Sequence, residues 1–228
     1  MDGRQIISIS KDILKFSRQV LQKIEGRNSS QYEMCIIYCF LRAIENFESI
    51  ILLTENNKPI DAGALVRVLI ENLCQMKYMQ IKPEERSGKF VKYDTLLAHS
   101  LRDKMIRNSR YREDKEKIID ELRMLKDDVS KIKRLYPRPE LGWHQKNMED
   151  LMNEIQLSDK YLVYWTLNHN IHSGPTTIKK YINKKDGLDT SYLGGSTDFF
   201  FMILDFIDDV FALSINNEIE NLYFRLNK

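Results

Sequence analysis

The 228 residues include 43% hydrophobic types, enough for one sizeable core, and 35 basic against 33 acidic residues leave a net charge of only +2. That balance excludes a global electrostatic demand for nucleic acid, so only a local basic patch serves such a partner. Cys35, Cys39 and Cys74 have no zinc-ribbon spacing and sit in apolar patterns, and no run approaches about 20 apolar residues, so a reduced, cytoplasmic protein with no membrane partner is expected.

Helical periodicity runs almost throughout. A first helix is expected over 4–25, with Ile6, Ile13, Leu14, Val20, Leu21 and Ile24 as its apolar stripe and Gly26 as its stop. A second follows the cap candidates Ser29 and Ser30 and continues to about Leu53, its inner face carrying Met34, Ile37, Tyr38, Leu41, Ile44 and Ile51. The third starts after Pro59 with Asp61 as cap and ends before Pro83, with Leu65, Leu69, Leu73 and Met76 inside.

Between 84 and 136 the composition turns charged. Ile118, Leu122, Leu125, Val129 and Ile132 recur at steps of four and three, the spacing of a narrow coiled-coil seam, and Leu97, Leu101 and Met105 form a matching stripe upstream. These segments are read as an antiparallel hairpin, joined near Asn108-Ser109 and projecting from the body. Pro137-Arg138-Pro139 ends it, a short helix covers 146–155, and Leu157-Ser158-Asp159 leads into the helix of Tyr161 to His172. A glycine-containing loop is expected over 173–196. A long last helix over 197–227 follows, whose run Phe199-Phe200-Phe201-Met202-Ile203-Leu204 is apolar on all sides and so central. The fold class is therefore all-α, one multi-helix bundle with a projecting hairpin, expected to dimerise through the hairpin seam or the last helix.

The chemistry-bearing residues are few. Tyr161, Tyr164 or Trp165, Asn168 and His172 share one face of an otherwise apolar helix, with His169 beside them, and burying such groups is costly unless partners are supplied. Arg67 and Glu71 stand four apart on another helix, where an ion pair is geometrically available. If that pair lies on the apolar side of its helix, Tyr164 and His172 are its natural companions, giving one polar cluster assembled across about 100 residues. The glycine patterns of nucleophile elbows, phosphate loops and dinucleotide folds are absent, as is the Glu-x-x-His of di-iron bundles, so no metal and no cofactor is expected. Arg102 to Arg138 contains 13 Lys or Arg against 8 Asp or Glu, a local excess of 13 minus 8, or +5. A solvated coiled-coil face accounts for this better than an RNA contact.

Arg67-x-x-x-Glu71 with Tyr78, Glu85-Arg86 with Phe90 and Tyr93, Trp143 with Lys146, and Tyr161-x-x-Tyr164-x-x-x-Asn168-x-x-x-His172 together resemble a bacterial helical family, domain of unknown function 5677, over about 60–175. In that family the position of Asn168 is usually Ser, so this chain departs from the pattern there. The family implies no reaction. A looser similarity is to HEPN helical bundles of toxin and phage-defence systems, many of them ribonucleases with an Arg and a His four to six apart on one helix. The helix of His172 has no Arg, and the pair at suitable spacing, Arg138 and His144, falls in a proline-containing connector. The expected function is an interaction or small-ligand-binding module of a defence or mobile-element system, with Tyr161, Tyr164, Asn168, His169 and Trp143 facing the ligand. The alternative is a HEPN-like, metal-independent ribonuclease in which His172 is general acid or base, with Arg67 stabilising phosphoryl charge beside Glu71. A homo-oligomer is expected, with a protein partner ahead of RNA.

Overall fold

The computed structural model describes residues 2–27, 29–108, 114–171 and 188–227, with side chains of 125–128, 170 and 171 left aside. Described residues are helical nearly throughout and contain no strand. The helices are α1 (Gly3–Ile24), α2 (Gln31–Glu55), α3 (Pro59–Ile81), α4 (Pro83–Arg107), α5 (Lys115–Lys133), α6 (Met148–Glu154), α7 (Tyr161–Ile171), α8 (Ser191–Phe211) and α9 (Asn216–Leu226). The chain is thus an all-α, multi-helix bundle.

Local chemistry explains the boundaries. Asp2 caps α1 and Ser30 caps α2, each in a capping box closed by Gln5 and Glu33 respectively. Helix α3 starts differently from the expectation: Lys58 occupies the cap position without a side-chain bond, Pro59 opens the helix, and Asp61 lies inside its first turn. Ile13, Leu14, Val20, Leu21 and Ile24 of α1 are buried as expected, and Ile6 is half-buried against the core. On α2 the expected inner face is only partly right. Ile44 and Ile51 are buried, but Met34, Tyr38 and Leu41 are exposed, while Cys35, Ile36, Cys39, Phe40, Phe47 and Ile50 fill the interior. This helix is apolar nearly all round, so its neighbours α1, α3 and α8, rather than its periodicity, select the buried side.

Helix α8 is the central element, in contact with α1, α2, α3 and α9, with Phe199, Phe200, Phe201, Ile203 and Leu204 buried and Phe200 stacked on Phe47 at 4.3 Å. Two boundaries depart from the sequence reading here. The helix begins at Ser191, so Gly194 and Gly195 lie within it rather than in a loop. It also does not continue to residue 227: Ala212 takes a left-handed φ of 48°, Ser214 one of 56°, and the buried Asp208 carboxylate accepts the Ile215 N–H at 3.3 Å before α9 begins. No glycine or proline marks this break, because a side-chain acceptor one turn upstream makes it. The remainder of the expected 173–196 loop, up to residue 187, lies outside the described residues.

The hairpin is antiparallel. Arg102 of α4 pairs with Glu121 of α5 at 2.6 Å, and near its base Tyr136 donates to the carbonyl of Lys89 at 2.5 Å. Ile118 and Val129 are buried and Leu122 and Ile132 half-buried, as the seam requires; Leu125 lies outside the described side chains. On α4 the expected stripe holds only at Met105, which is half-buried. Leu97 and Leu101 face solvent, and Leu96, buried, takes the inward place. Ile118 and Val129 of the seam are thus covered within the chain, and Phe199, Phe200 and Phe201 of α8 lie in the core, while Tyr223 and Phe224 of α9 are exposed.

Candidate functional site

Helix α7 lies across α3, and this contact brings together Arg67, Glu71 and Tyr164 of the expected polar cluster. Arg67 Nε donates to Glu71 Oε1 at 2.9 Å, and the Tyr164 hydroxyl donates to the same oxygen at 3.0 Å. The Arg67 guanidinium carbon stands 5.5 Å from the centre of the Tyr164 ring. One carboxylate oxygen therefore joins two helices. The cluster is half-open rather than sealed, with the Arg67 and Glu71 side chains 29% and 27% exposed. Burial first, then the Glu71 charge, push the Tyr164 hydroxyl above its usual pKa, so it remains a donor. For Arg67, burial opposes the charge, but Glu71 and Tyr164 outweigh it and hold the guanidinium protonated.

The other expected residues distribute unevenly. Tyr161 is half-buried against the core and Asn168, one turn beyond Tyr164, is half-buried on the same flank. Trp165 and His169 turn outward, their rings 3.8 Å apart, with His169 Nδ1 2.9 Å from the Trp165 carbonyl. His172 lies outside the described residues.

Trp143 belongs to a second cluster. It packs edge-on to Tyr78 and Phe90, each at 5.3 Å, and to His144 at 5.8 Å. At its centre is Arg86, 8% exposed, whose guanidinium carbon lies 3.7 Å over the Tyr78 ring. Arg86 donates to the Tyr78 carbonyl at 2.8 Å and to Glu154 at 2.6 Å, and Lys146 pairs with the other Glu154 oxygen at 3.0 Å. Burial works against the Glu154 charge, but Lys146 and Arg86 together hold its pKa below the usual value. This arrangement ties α3, α4, the connector and α6 together. Gly142 makes the connector's turn with a φ of 72°, open to glycine at low cost. The cluster's cations are taken up by Glu154 and a carbonyl and clamp the connector onto the bundle, while the buried Trp143 Nε1 has no hydrogen-bond partner among the described residues.

What the sequence reading missed is a groove on the other flank of α7. Val66, Leu162, Val163, Thr166, Leu167, Ser191, Tyr192, Gly195 and Phe199 line an open groove of about 460 Å³ between α3, α7 and α8. Its signals were present as Leu162-Val163, adjacent apolar residues off the Tyr164 row, and as Gly195, where an added Cβ meets nothing within 4 Å.

The pairing of Arg67 with Glu71 and Tyr164, and the clamp built from Arg86, Trp143 and Lys146, use the residues that carried the family resemblance. A family model, described as a family of unknown function (DUF5677), matches residues 33–189. The chain belongs to that family, and the match extends beyond the 60–175 span on which the resemblance was drawn. Neither the curated proteins nor the solved structures yield a match.

Proposed function

We propose that the chain is a small-ligand-binding module in which the Arg67, Glu71 and Tyr164 cluster fixes α7 on α3, and the groove on the other flank of α7 takes a small, mainly apolar ligand. The observation that carries this reading is the juxtaposition itself: one helix is pinned by polar bonds on one flank and offers an open apolar concavity on the other. Ligand sites commonly combine such apolar walls with a few polar groups, supplied here by the hydroxyls of Thr166, Ser191 and Tyr192. Arg67 is already engaged by a carboxylate, which favours a positioning role over the phosphoryl-stabilising role of the ribonuclease alternative.

The test uses anilinonaphthalene sulfonate as a fluorescent probe with decanoate as competitor. The expected result is saturable fluorescence enhancement, displaced by decanoate and lost in a normally folded Gly195→Phe protein whose new ring occupies the groove. Absence of saturable binding by the wild type, or binding that Gly195→Phe leaves unchanged, overturns the reading. Metal-independent cleavage of an RNA oligonucleotide, lost in a normally folded His172→Ala protein, overturns it in favour of the ribonuclease.

A further inference from the structure

Helix α2 carries an apolar row that the described residues leave uncovered. Met34, Tyr38, Leu41 and Leu52 are 57%, 55%, 37% and 52% exposed. They are not scattered. At 100° per residue all four fall within about 60° of arc, and the 18 steps from Met34 to Leu52 make five whole turns, about 27 Å of helix. Glu45 and Glu48 complete the same row, Glu45 paired with the adjacent Arg42 at 2.6 Å and Glu48 with Arg18 of α1 at 2.7 Å.

We infer that this row is the interface between two copies of the chain, packed antiparallel about a two-fold axis level with Ala43. The inference stands on the row's complementarity to itself. Reversal about position 43 sets residue i against residue 86 minus i, since 34 plus 52 is 86. Met34 then meets the partner's Leu52, and Tyr38 brings a hydroxyl donor to the partner's Glu48. At the centre, Leu41 packs on the aliphatic part of the partner's Glu45, whose carboxylate lies within reach of Arg42. Apolar thus faces apolar at both ends, and donor or cation faces carboxylate between them. An isologous contact requires this property, since every group must find its mate on the same surface. A crossing angle near 20° keeps two such helices in contact over this length. The carboxylates of Glu45 and Glu48 in the row discourage association with an arbitrary apolar surface, but the two-fold sets a further cation or donor beside each. The exposed Leu162 and Val163 of α7 do not compete for this role, since they line the groove.

The experiment is light scattering after size exclusion, with analytical ultracentrifugation for the dissociation constant, on the full chain. Wild-type protein is expected at twice the chain mass of 27.1 kDa at micromolar concentration. Leu41→Glu is expected to give monomer. Arg42→Glu and Glu45→Arg should each weaken association by about tenfold or more through like charges across the axis, and the double variant R42E/E45R should recover most of that loss. Circular dichroism melts taken below the dimer dissociation constant, where all the proteins are monomers, should be nearly the same, because the exchanged side chains are exposed on one helix. A monomeric wild type at about 50 μM, within the affinity range a stable homodimer needs, overturns the inference. So does a dimer indifferent to Leu41→Glu, or one that the double variant does not restore.

Discussion

Tyr164 and Glu71, 93 residues apart, share a hydrogen bond of 3.0 Å from hydroxyl to carboxylate, and through it α7 is tied to the ion pair of α3. Because the carboxylate is about a quarter exposed, this bond belongs to the ordinary range rather than the buried-charge range.

Tyr164→Phe, which removes only the hydroxyl, should therefore destabilise by about 1 kcal/mol, and Glu71→Ala by about 1 to 1.5 kcal/mol. A double-mutant cycle between them should give a coupling of about 0.5 to 1 kcal/mol, since both report on one bond. Urea denaturation measures all three. A loss above about 3 kcal/mol for Glu71→Ala would mark a sealed network, and strict additivity would show the bond to be absent in solution.

Arg86 should matter more. It is almost fully buried, and its removal leaves the Tyr78 carbonyl unpartnered and Glu154 with Lys146 alone. Arg86→Ala is expected to cost about 2 to 4 kcal/mol in the same measurement. Arg86→Lys should recover less than half of that, because an ammonium cannot bond the carbonyl and Glu154 in the fork geometry while lying flat on the Tyr78 ring.

The parts of this architecture legible in the sequence are those set by local spacing. Arg67 and Glu71 pair because four residues make one turn, Ser30 and Glu33 form a capping box because three separate them, and Ile118 and Val129 meet the seam because their steps repeat. Periodicity lost its power wherever a helix offered two apolar answers. Leu96 and Leu97 are neighbours 100° apart, and packing alone selects Leu96. Met34 and Phe40 are both apolar on α2, and only the placement of α1, α3 and α8 buries the second. The break at Ala212 depends on Asp208 accepting from Ile215, an interaction that composition does not signal, and Gly194-Gly195 suggested a loop where α8 had already begun. Trp143 was expected to face a ligand together with Tyr164. Its ring instead meets Tyr78 and Phe90, a grouping set by how α4 and the connector fold back on α3.

The connector should respond to acid through His144. Its ring packs edge-on against Tyr78 and Trp143, its Nδ1 accepts the Lys146 N–H at 3.2 Å, and burial lowers its pKa. A depressed folded-state value means that the contribution is complete above the unfolded value of 6.5 and is lost as pH falls through the lower, folded value. Glu154, also depressed, adds a loss of the same sign below 4.5. The melting temperature is therefore expected to fall between pH 7.5 and 5.5, and His144→Phe, which keeps a ring but cannot be protonated, should flatten that segment while leaving the decline below pH 4.5. An equal slope in both proteins over the upper window would remove His144 as its cause.

Two glycines in helices predict opposite outcomes for the same substitution. At Gly63 of α3 an added Cβ would stand 3.0 Å from the ring of Tyr192 on α8, a contact tight enough that the ring must give by a few tenths of an ångström, and the site is buried. The ring would have to shift, moving the wall of the groove that Tyr192 forms. At Gly195 of α8 the same Cβ meets nothing within 4 Å, so alanine there incurs no clash and gains helix propensity. Gly195→Ala should stabilise by about 0.5 to 1 kcal/mol, and Gly63→Ala should destabilise by about 1 to 3 kcal/mol. Thermal melts read as free energies test both, and probe fluorescence adds a second readout. Gly63→Ala should weaken binding in the groove through the displaced Tyr192 ring, whereas Gly195→Ala, a single methyl in about 460 Å³, should leave it within about twofold. Equal effects of the two substitutions on stability would show that α3 and α8 do not approach as closely as the Gly63 and Tyr192 contact requires.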